Sequence, residues 1–169
     1  MAANDPVLIN LQAIPPTADA ATLDWRVGGS SPGELVEVHD FDPDVVEHLD
    51  LHARVAARYA GANFALRLVA SAATATSGNM VWEAAFRRLV TGTSITASHS
   101  YAYQSATVAA PATAGRPAYF SIAFTQAQAD GIQAGDAVIV RVRRNAAAAG
   151  DTMAGDAELW AARTMAVET

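Results

Sequence analysis

A pentapeptide in the first quarter of the chain has the spacing of a serine nucleophile. Residues 29–33 read Gly-Ser-Ser-Pro-Gly and match the G-x-S-x-G pattern literally. In a nucleophile elbow the residue after the serine donates its backbone N–H to the oxyanion, and here that residue is Pro32, which has no N–H. The elbow also leads into a helix, whereas the residues after Gly33 alternate like a strand. We therefore interpret this motif as a tight turn.

Three aspartates, Asp40, Asp42 and Asp44, alternate along the chain like the first oxygen ligands of a calcium loop. An EF-hand then requires Gly at its sixth position and Glu at its twelfth, whereas this chain has Val45 and Leu51 there. Two interpretations stay open: an irregular Ca²⁺ site with these aspartates as ligands, or a solvated acidic turn. The two nearby glutamates that could complete such a site are Glu37 and Glu47.

Two histidines four residues apart, His48 and His52, would suit a zinc ion if they lay on a helix. Apolar and polar residues alternate without a break from 47 to 55, which predicts a strand. On a strand the two histidines lie about 13 Å apart, too far to share a metal ion. We expect an exposed polar face here.

Arg141 and Arg143 share one face of a predicted strand, opposite a run of valines. They could pair with an acidic patch of a neighbouring subunit, bind phosphate groups of sugars or lipids, or form a solvated face. Glu83 with Glu158 is a candidate carboxylate pair for glycoside hydrolysis, which would require the two to face each other across a cleft. Since no catalytic motif supports that pair, we predict a protein that is not an enzyme and has no catalytic residues.

The aromatic residues fall mostly in segments that alternate like strands. We expect core packing for the three tryptophans, which are Trp25, Trp82 and Trp160. Tyr101 and Tyr103 share a face of one segment, and the alternative for such aromatics is a platform on which sugar rings stack.

Composition excludes several classes of protein. The net charge of −6 over 169 residues disfavours nucleic-acid binding, which requires a basic surface. The chain has no cysteine, so disulfides and thiolate chemistry are excluded. We expect no membrane segment, no signal peptide and no bound cofactor, because no long apolar run, basic leader or phosphate-binding glycine loop is present.

Alternation with a period of two recurs along the chain, between turns rich in Gly, Pro, Asn and Ser. We count roughly eight to ten strands, which predicts an all-β fold. The expected architecture is a jelly-roll-like antiparallel β-sandwich with one short helical segment, at 125–133. Residues 1–20 are predicted to form an N-terminal arm or first strand, and 21–169 a single β-sandwich domain. The segments 136–144 and 157–163 are predicted to pair as a closing hairpin.

Two stretches resemble small structural proteins of tailed phages and gene-transfer agents. Residues 71–88 lead from a turn of small residues into a strand that carries Trp82, and residues 134–144 with 151–159 resemble that family's closing hairpin. The resemblance covers about residues 35–168. It implies a jelly-roll-like β-sandwich that serves as a head decoration protein, a head spike, or a fibre or tail domain, often as a trimer.

The function implied by this resemblance is that of a non-enzymatic virion structural protein. We expect a capsid decoration (cement) or head-spike protein that binds and stabilises the outer capsid surface. Its partners would be the major capsid protein or other virion proteins, and it would act as a homotrimer in a virion assembled in a bacterial cytoplasm. The alternative is a tail or fibre module that binds a receptor or a carbohydrate through exposed aromatics at 91–103, with an ion at 40–44.

Overall fold

Residues 5–169, which the structure describes, form two β-sheets in a computed structural model of the chain. The five-stranded sheet consists of β1 (Leu8–Ile14), β4 (His48–Val55), β6 (Asn79–Leu89), β7 (Gln104–Ala109) and β9 (Ala137–Arg144). The six-stranded sheet consists of β2 (Thr22–Gly28), β3 (Glu34–Phe41), β5 (Phe64–Ala72), β8 (Ala118–Phe124), β10 (Ala157–Leu159) and β11 (Met165–Glu168). A 3₁₀ helix, Ala161–Arg163, separates β10 from β11.

All pairs of neighbouring strands in the two sheets are antiparallel. The five-stranded sheet has the order β1-β4-β9-β6-β7. In the six-stranded sheet, β5 pairs with β8 along one edge and with both β10 and β11 along the other, and the sheet continues through β3 to β2. This antiparallel sandwich confirms the predicted fold class. No helix within residues 5–169 is long and apolar enough to span a bilayer.

The alternation that predicted strands also sorts side chains between the core and the two outer faces. On β4, Leu49, Leu51 and Val55 are buried while Arg54 is exposed, as the sequence predicts. Between the sheets, the rings of Phe64, Phe86 and Phe124 contact one another with centroids 4.9–5.6 Å apart. Aromatic pairs at such distances contribute about 0.5–1.5 kcal/mol each beyond the area they bury.

The predicted closing hairpin is wrong. Its first segment is β9, a central strand of the five-stranded sheet, and its second is β10, which lies between β5 and β3 in the six-stranded sheet. Residues 145–156 therefore cross from one sheet to the other. Period-two alternation identifies a strand but does not say which neighbour it pairs with, since that depends on contacts between residues distant in sequence.

The predicted helical segment at 125–133 is not a helix. It is a run of turns whose start is held by Thr125, because its Oγ1 accepts the backbone N–H of Gln128 at 3.2 Å. The short helical element of this fold is the 3₁₀ helix between β10 and β11. At the N-terminus, residues 8–14 pair with β4 as a strand of the sandwich, and residues 1–4 of the predicted arm or first strand lie outside the described residues.

A fully buried arginine holds the loop that crosses between the sheets. The guanidinium of Arg144, at the end of β9, donates two hydrogen bonds to the carboxylate of Asp151, at 2.7 and 3.0 Å. It also donates to the backbone carbonyl oxygens of Met153 at 2.6 Å and Gly155 at 2.8 Å, and more weakly to that of Phe41 in β3 at 3.4 Å. A buried charge is tolerated only when it is paired and hydrogen-bonded in this way.

Replacement of this buried arginine should destabilise the whole sandwich. Arg144→Met leaves the Asp151 carboxylate buried without its cation, so the free energy of unfolding should fall by about 3–5 kcal/mol in urea titrations. The control is Arg58→Met, because Arg58 forms an exposed ion pair with Asp5 at 3.6 Å, and such pairs contribute about 1 kcal/mol or less. Equal losses in the two variants would contradict a structural role for Arg144.

Candidate functional site

A groove of about 570 Å³ lies on the outer face of the six-stranded sheet. Its floor consists of two rows of side chains that run across the strands. The first row is formed by Tyr119 on β8, Val69 on β5 and Trp160 just after β10. The second row is formed by Ser121 on β8, Arg67 on β5 and Met165 on β11. Arg163, in the 3₁₀ helix, lines one side.

Strand geometry sets the dimensions of this floor. Neighbouring strands lie about 4.8 Å apart, so Tyr119 and Trp160 are separated by about 10 Å across the sheet. Successive residues on one face lie about 7 Å apart along a strand, which is the distance between the two rows. Tyr119 is 78% exposed, whereas Val69 between the aromatics is only 5% exposed. The floor thus presents two aromatic side chains across a distance comparable to the length of a disaccharide.

The groove exists because one long strand is interrupted. The chain from β10 to β11 runs along a single edge of β5, but the 3₁₀ helix at Ala161–Arg163 lifts it away from the sheet between Leu159 and Met165. The backbone N–H of Trp160 still donates to the carbonyl oxygen of Val69 at 2.9 Å. The interruption therefore keeps the indole on the outer face and places Arg163 beside it.

The orientation of Trp160 is fixed by a chain of hydrogen bonds beneath it. Its indole Nε1–H donates to Ser71 Oγ at 2.8 Å, and Ser71 Oγ donates to the carboxylate of Glu158, which is 1% exposed. Arg26 donates to the other oxygen of Glu158. Each buried polar atom in this chain thus has a partner, as a rigid polar network requires.

Arg26 also joins this network to two aspartates. Its guanidinium donates to both carboxylate oxygens of Asp40 at 3.0 Å, and it forms an ion pair with Asp24. Burial raises the pKa of Asp40, and the neighbouring Arg26 opposes that rise. For Asp24, the hydrogen bond from the backbone N–H of Trp25 and the contact with Arg26 lower the pKa. The cation of Arg26 therefore balances three carboxylates, those of Glu158, Asp40 and Asp24, on the side of Trp160 away from the groove.

A second, smaller cleft adjoins the groove beyond Trp160. The hairpin of β2 and β3 extends past the end of β10, so its far part has no strand beside it. Trp25, Leu35 and Glu37 line this cleft together with Trp160 and Arg163. The last two residues line both the groove and the cleft, so the two spaces adjoin each other at Trp160 and Arg163.

The arginines singled out from the sequence are paired within the chain. Arg141 forms two hydrogen bonds of 2.7 Å with Asp50, and Arg143 binds Glu83 at 2.6 Å. Their guanidinium carbons lie 4.5 Å and 3.8 Å from the ring centroids of two tyrosines of the 91–103 region, Tyr101 and Tyr103 respectively. Burial raises the pKa of both tyrosines. The structure thus gives both arginines acidic partners in the same chain, which none of the three interpretations from the sequence proposed.

Three of the five candidate calcium ligands, Asp40, Asp42 and Glu47, line one small polar cleft, but each already accepts hydrogen bonds from the chain. Asp40 is bound by Arg26, and Asp42 Oδ1 accepts the backbone N–H groups of Asp44 and Val45 at 2.6 and 3.1 Å. Glu47 accepts the backbone N–H of Asp42 at 2.8 Å. In the described part of the chain, no group of three or more acidic or histidine side chains is arranged to hold a metal ion.

Other residues considered from the sequence lie apart from one another. Glu83 faces outward from the five-stranded sheet and Glu158 faces outward from the six-stranded sheet, so they do not flank a common cleft. His48 and His52 lie on β4, which confirms the predicted strand. The residues 29–33 form the turn between β2 and β3.

The expectation of core packing for the tryptophans is correct only for Trp82, which is fully buried. Trp25 is 48% exposed and Trp160 is partly exposed on the outer face. Sequence reasoning did not single out Tyr119, Arg67 or Arg163. A signal for Tyr119 was present, because it alternates with the inward set of β8 and must face outward from that strand.

No protein-family model matches the chain and no curated protein matches it in sequence. Similar solved structures include a family 11 carbohydrate-binding module from Clostridium thermocellum in complex with a β-1,3-1,4-mixed-linked tetrasaccharide, with 5% identity over 99% of this chain and 97% of that one and a TM-score of 0.44. A carbohydrate-binding module specific for non-crystalline cellulose has 11% identity over 86% of this chain and 80% of that one, with a TM-score of 0.41.

The enzymatically active domain of bacteriophage CBA120 tailspike protein 4 is also similar, with 11% identity over 95% of this chain and a TM-score of 0.39. This chain spans 19% of that domain's length. The phage and gene-transfer-agent family that the sequence resembles is not identified by any family model or sequence match, and it stays a prediction.

The network beneath Trp160 generates a prediction with a defined pH dependence. Arg26→Met removes the cation shared by Glu158 and Asp40, and should lower the free energy of unfolding at pH 7 on the order of 3 kcal/mol. Without Arg26 the pKa of Asp40 in the folded protein rises further above its unfolded value. In the variant, folded Asp40 then binds its proton more tightly than unfolded Asp40 does. The free energy of unfolding of the variant therefore increases as the pH falls below the raised pKa of Asp40 and decreases as the pH rises through it.

Urea titrations at pH 4 and pH 7 check this expectation. The deficit of Arg26→Met relative to the unmodified protein should be smaller at pH 4. Arg54→Met is the control, because Arg54 is exposed and, within residues 5–169, its side chain donates only to the carbonyl oxygen of Gly135. A deficit that is the same at both pH values would show that the charge balance is not the cause.

Proposed function

We propose that this protein is a carbohydrate-binding module that binds an oligosaccharide in the groove on its six-stranded sheet. The observation that carries this proposal is the row formed by Tyr119 and Trp160, which presents two aromatic side chains about 10 Å apart on a rigid sheet. Ser121, Arg67 and Arg163 supply hydrogen-bond donors beside that row. Sugar rings offer an apolar face for stacking and hydroxyl groups for hydrogen bonds, so both features suit them.

The rigidity of the platform supports the same function. Binding costs less when the contacting side chains are already ordered in the free protein. The indole of Trp160 is held by a chain of hydrogen bonds through Ser71 and Glu158 to Arg26. Val69, which lies between the two aromatic residues, belongs to the central strand β5. The groove is open along the sheet face, which suits a polymer chain more than a small enclosed ligand. The protein would be non-enzymatic, and it would act as the receptor-binding part of a tail or fibre.

Removal of the exposed aromatic should weaken glycan binding without unfolding the protein. Tyr119→Ala is expected to raise the Kd for a glycan identified on an array by about tenfold or more, which corresponds to about 1.4 kcal/mol. Calorimetric titration of the variant measures the change. The matched control is Ile95→Ala, because Ile95 is equally exposed, at 77%, but lies outside the groove. If the two variants bind equally well, the groove is not the glycan site.

A separate observation favours a second function, which is attachment to a capsid as a decoration or head-spike protein. One face of the β2–β3 hairpin carries large apolar side chains that remain exposed. These are Leu23, Trp25, Val27 and Leu35, with exposures of 52%, 48%, 72% and 64%. Contiguous exposed apolar surface is typical of a protein–protein contact. The partner proposed here is the major capsid protein, with this chain as a homotrimer in the virion.

Co-sedimentation with empty capsids from the same source tests the second function. Val27→Asp introduces a charge into the apolar face of the hairpin and should abolish co-sedimentation, because a buried unpaired carboxylate is costly. Ile95→Asp places the same charge at a similarly exposed position elsewhere. Mass photometry of the protein alone reports whether it is a trimer. Failure of the unmodified protein to sediment with capsids would contradict the capsid role.

A further inference from the structure

We propose that the groove on the six-stranded sheet selects an anionic saccharide, and that the acidic group of the sugar lies between Arg163 and Arg67. This inference rests on the proposed carbohydrate-binding function and specifies its ligand. The shared chemistry is a carboxylate or a sulfate ester carried on a sugar ring. Both groups are flat or compact anions that accept two hydrogen bonds from a guanidinium.

The charge of the groove is opposite to that of the chain. The whole chain has a net charge of −6. The groove is lined by Arg67 and Arg163, and among residues 5–169 no aspartate or glutamate lines it. Clefts focus the field of the charges that line them. The two arginines therefore raise the local concentration of anions in the groove, although the protein as a whole is acidic.

Arg163 differs from the arginines that have structural roles. Arg26, Arg141 and Arg144 are each held in ion pairs with carboxylates of the chain. Arg163 is exposed at the end of the 3₁₀ helix, and no carboxylate of the described residues lies within ion-pair distance of it. Because Arg163 lies beside Trp160 and forms no ion pair within the described residues, its guanidinium can bind an anionic group of a ligand.

The register of the sheet places the second cation at a useful distance from the aromatics. Arg67 lies between Ser121 and Met165 in the row next to that of Tyr119 and Trp160. The two rows are about 7 Å apart at the backbone, and an arginine side chain spans most of that distance. A sugar ring that stacks on either aromatic therefore brings a substituent on its edge close to this guanidinium, with the Ser121 hydroxyl next to it.

The adjoining cleft gives the ligand a polarity. Glu37 lines the cleft on the far side of Trp160, whereas the groove itself has no acidic lining residue among those described. Arg163 lines both spaces, so the difference in charge comes from Arg67 in the groove and Glu37 in the cleft, and an anionic sugar is favoured in the groove. A polymer that alternates acidic and neutral sugars would therefore bind with its acidic residue over the groove and a neutral residue over the cleft.

Glycans of matched length and different charge test the inference. The probes are an oligogalacturonate, a sulfated galactan oligosaccharide, a neutral galactan oligosaccharide and sodium sulfate alone, each titrated calorimetrically into the full chain at low and moderate salt. We expect the Kd of an acidic oligosaccharide to be at least tenfold lower than that of the neutral one, with the advantage reduced by salt. The two acidic probes distinguish a carboxylate ligand from a sulfate ligand.

Variants separate charge recognition from the groove as a whole. Arg163→Gln should raise the Kd of the acidic probe about tenfold and that of the neutral probe by a much smaller factor, because Gln keeps a hydrogen-bond donor but not the charge, whereas Tyr119→Ala should weaken the binding of both probes. Arg54→Gln on the five-stranded sheet removes the same charge elsewhere and should change neither. Thermal unfolding confirms that the exposed substitutions leave the fold intact.

The outcomes are distinguishable from those of the proposed function. Binding of the neutral probe as tight as that of the acidic probes overturns the anionic inference and leaves the carbohydrate function standing. Binding of no glycan overturns both. Acidic probes that bind no better than sodium sulfate, and that are insensitive to Tyr119→Ala, show an adventitious ion only and overturn the inference.

Discussion

The groove depends on one buried ion pair, between Arg144 and Asp151. β9 ends in the five-stranded sheet, and the chain must then cross the sandwich to start β10 in the other sheet. A crossing loop carries backbone carbonyl groups into the interior, where each requires a donor. The guanidinium of Arg144 supplies donors for carbonyl oxygens of Met153 and Gly155, and for that of Phe41 on the opposite sheet. Arg144 thus holds the loop that leads into β10, and β10 then pairs with β5 and β3.

The chain that follows the loop pairs with one edge of β5 as two strands, β10 and β11, with a 3₁₀ helix between them. Glu158 points outward from the six-stranded sheet because it pairs with Ser71 of β5, and Trp160, two residues later, lies on the same face. Glu158 is buried, and its carboxylate accepts hydrogen bonds from Arg26 and Ser71. The 3₁₀ helix that follows opens the space that the next strand would otherwise fill. The buried polar network orients Trp160, and the 3₁₀ helix opens the space beside it. Together they produce a groove that has aromatic side chains and two arginines.

Local alternation predicted most strands and the all-β class, because the inward and outward sets of a half-buried strand are written directly in its sequence. It did not predict that β9 and β10 lie in different sheets, since strand pairing is settled by contacts across the whole chain. The candidate site likewise depends on contacts between residues that are distant in sequence. Tyr119, Arg67 and Arg163 come from three separate segments, and only the sheet brings them together. Arg144 directly follows Arg143 in the sequence, yet the alternation of β9 places Arg144 inside the sandwich while Arg143 faces outward.

The most direct test of this account is the site at which a glycan contacts the protein. Two-dimensional NMR spectra of the labelled chain, titrated with an acidic oligosaccharide, report that site without any substitution. The account predicts that the largest shift changes fall on the Trp160 indole N–H and on the backbone amides of Tyr119, Arg67 and Arg163. Changes centred instead on Tyr101 and Tyr103, on the opposite sheet, would contradict it.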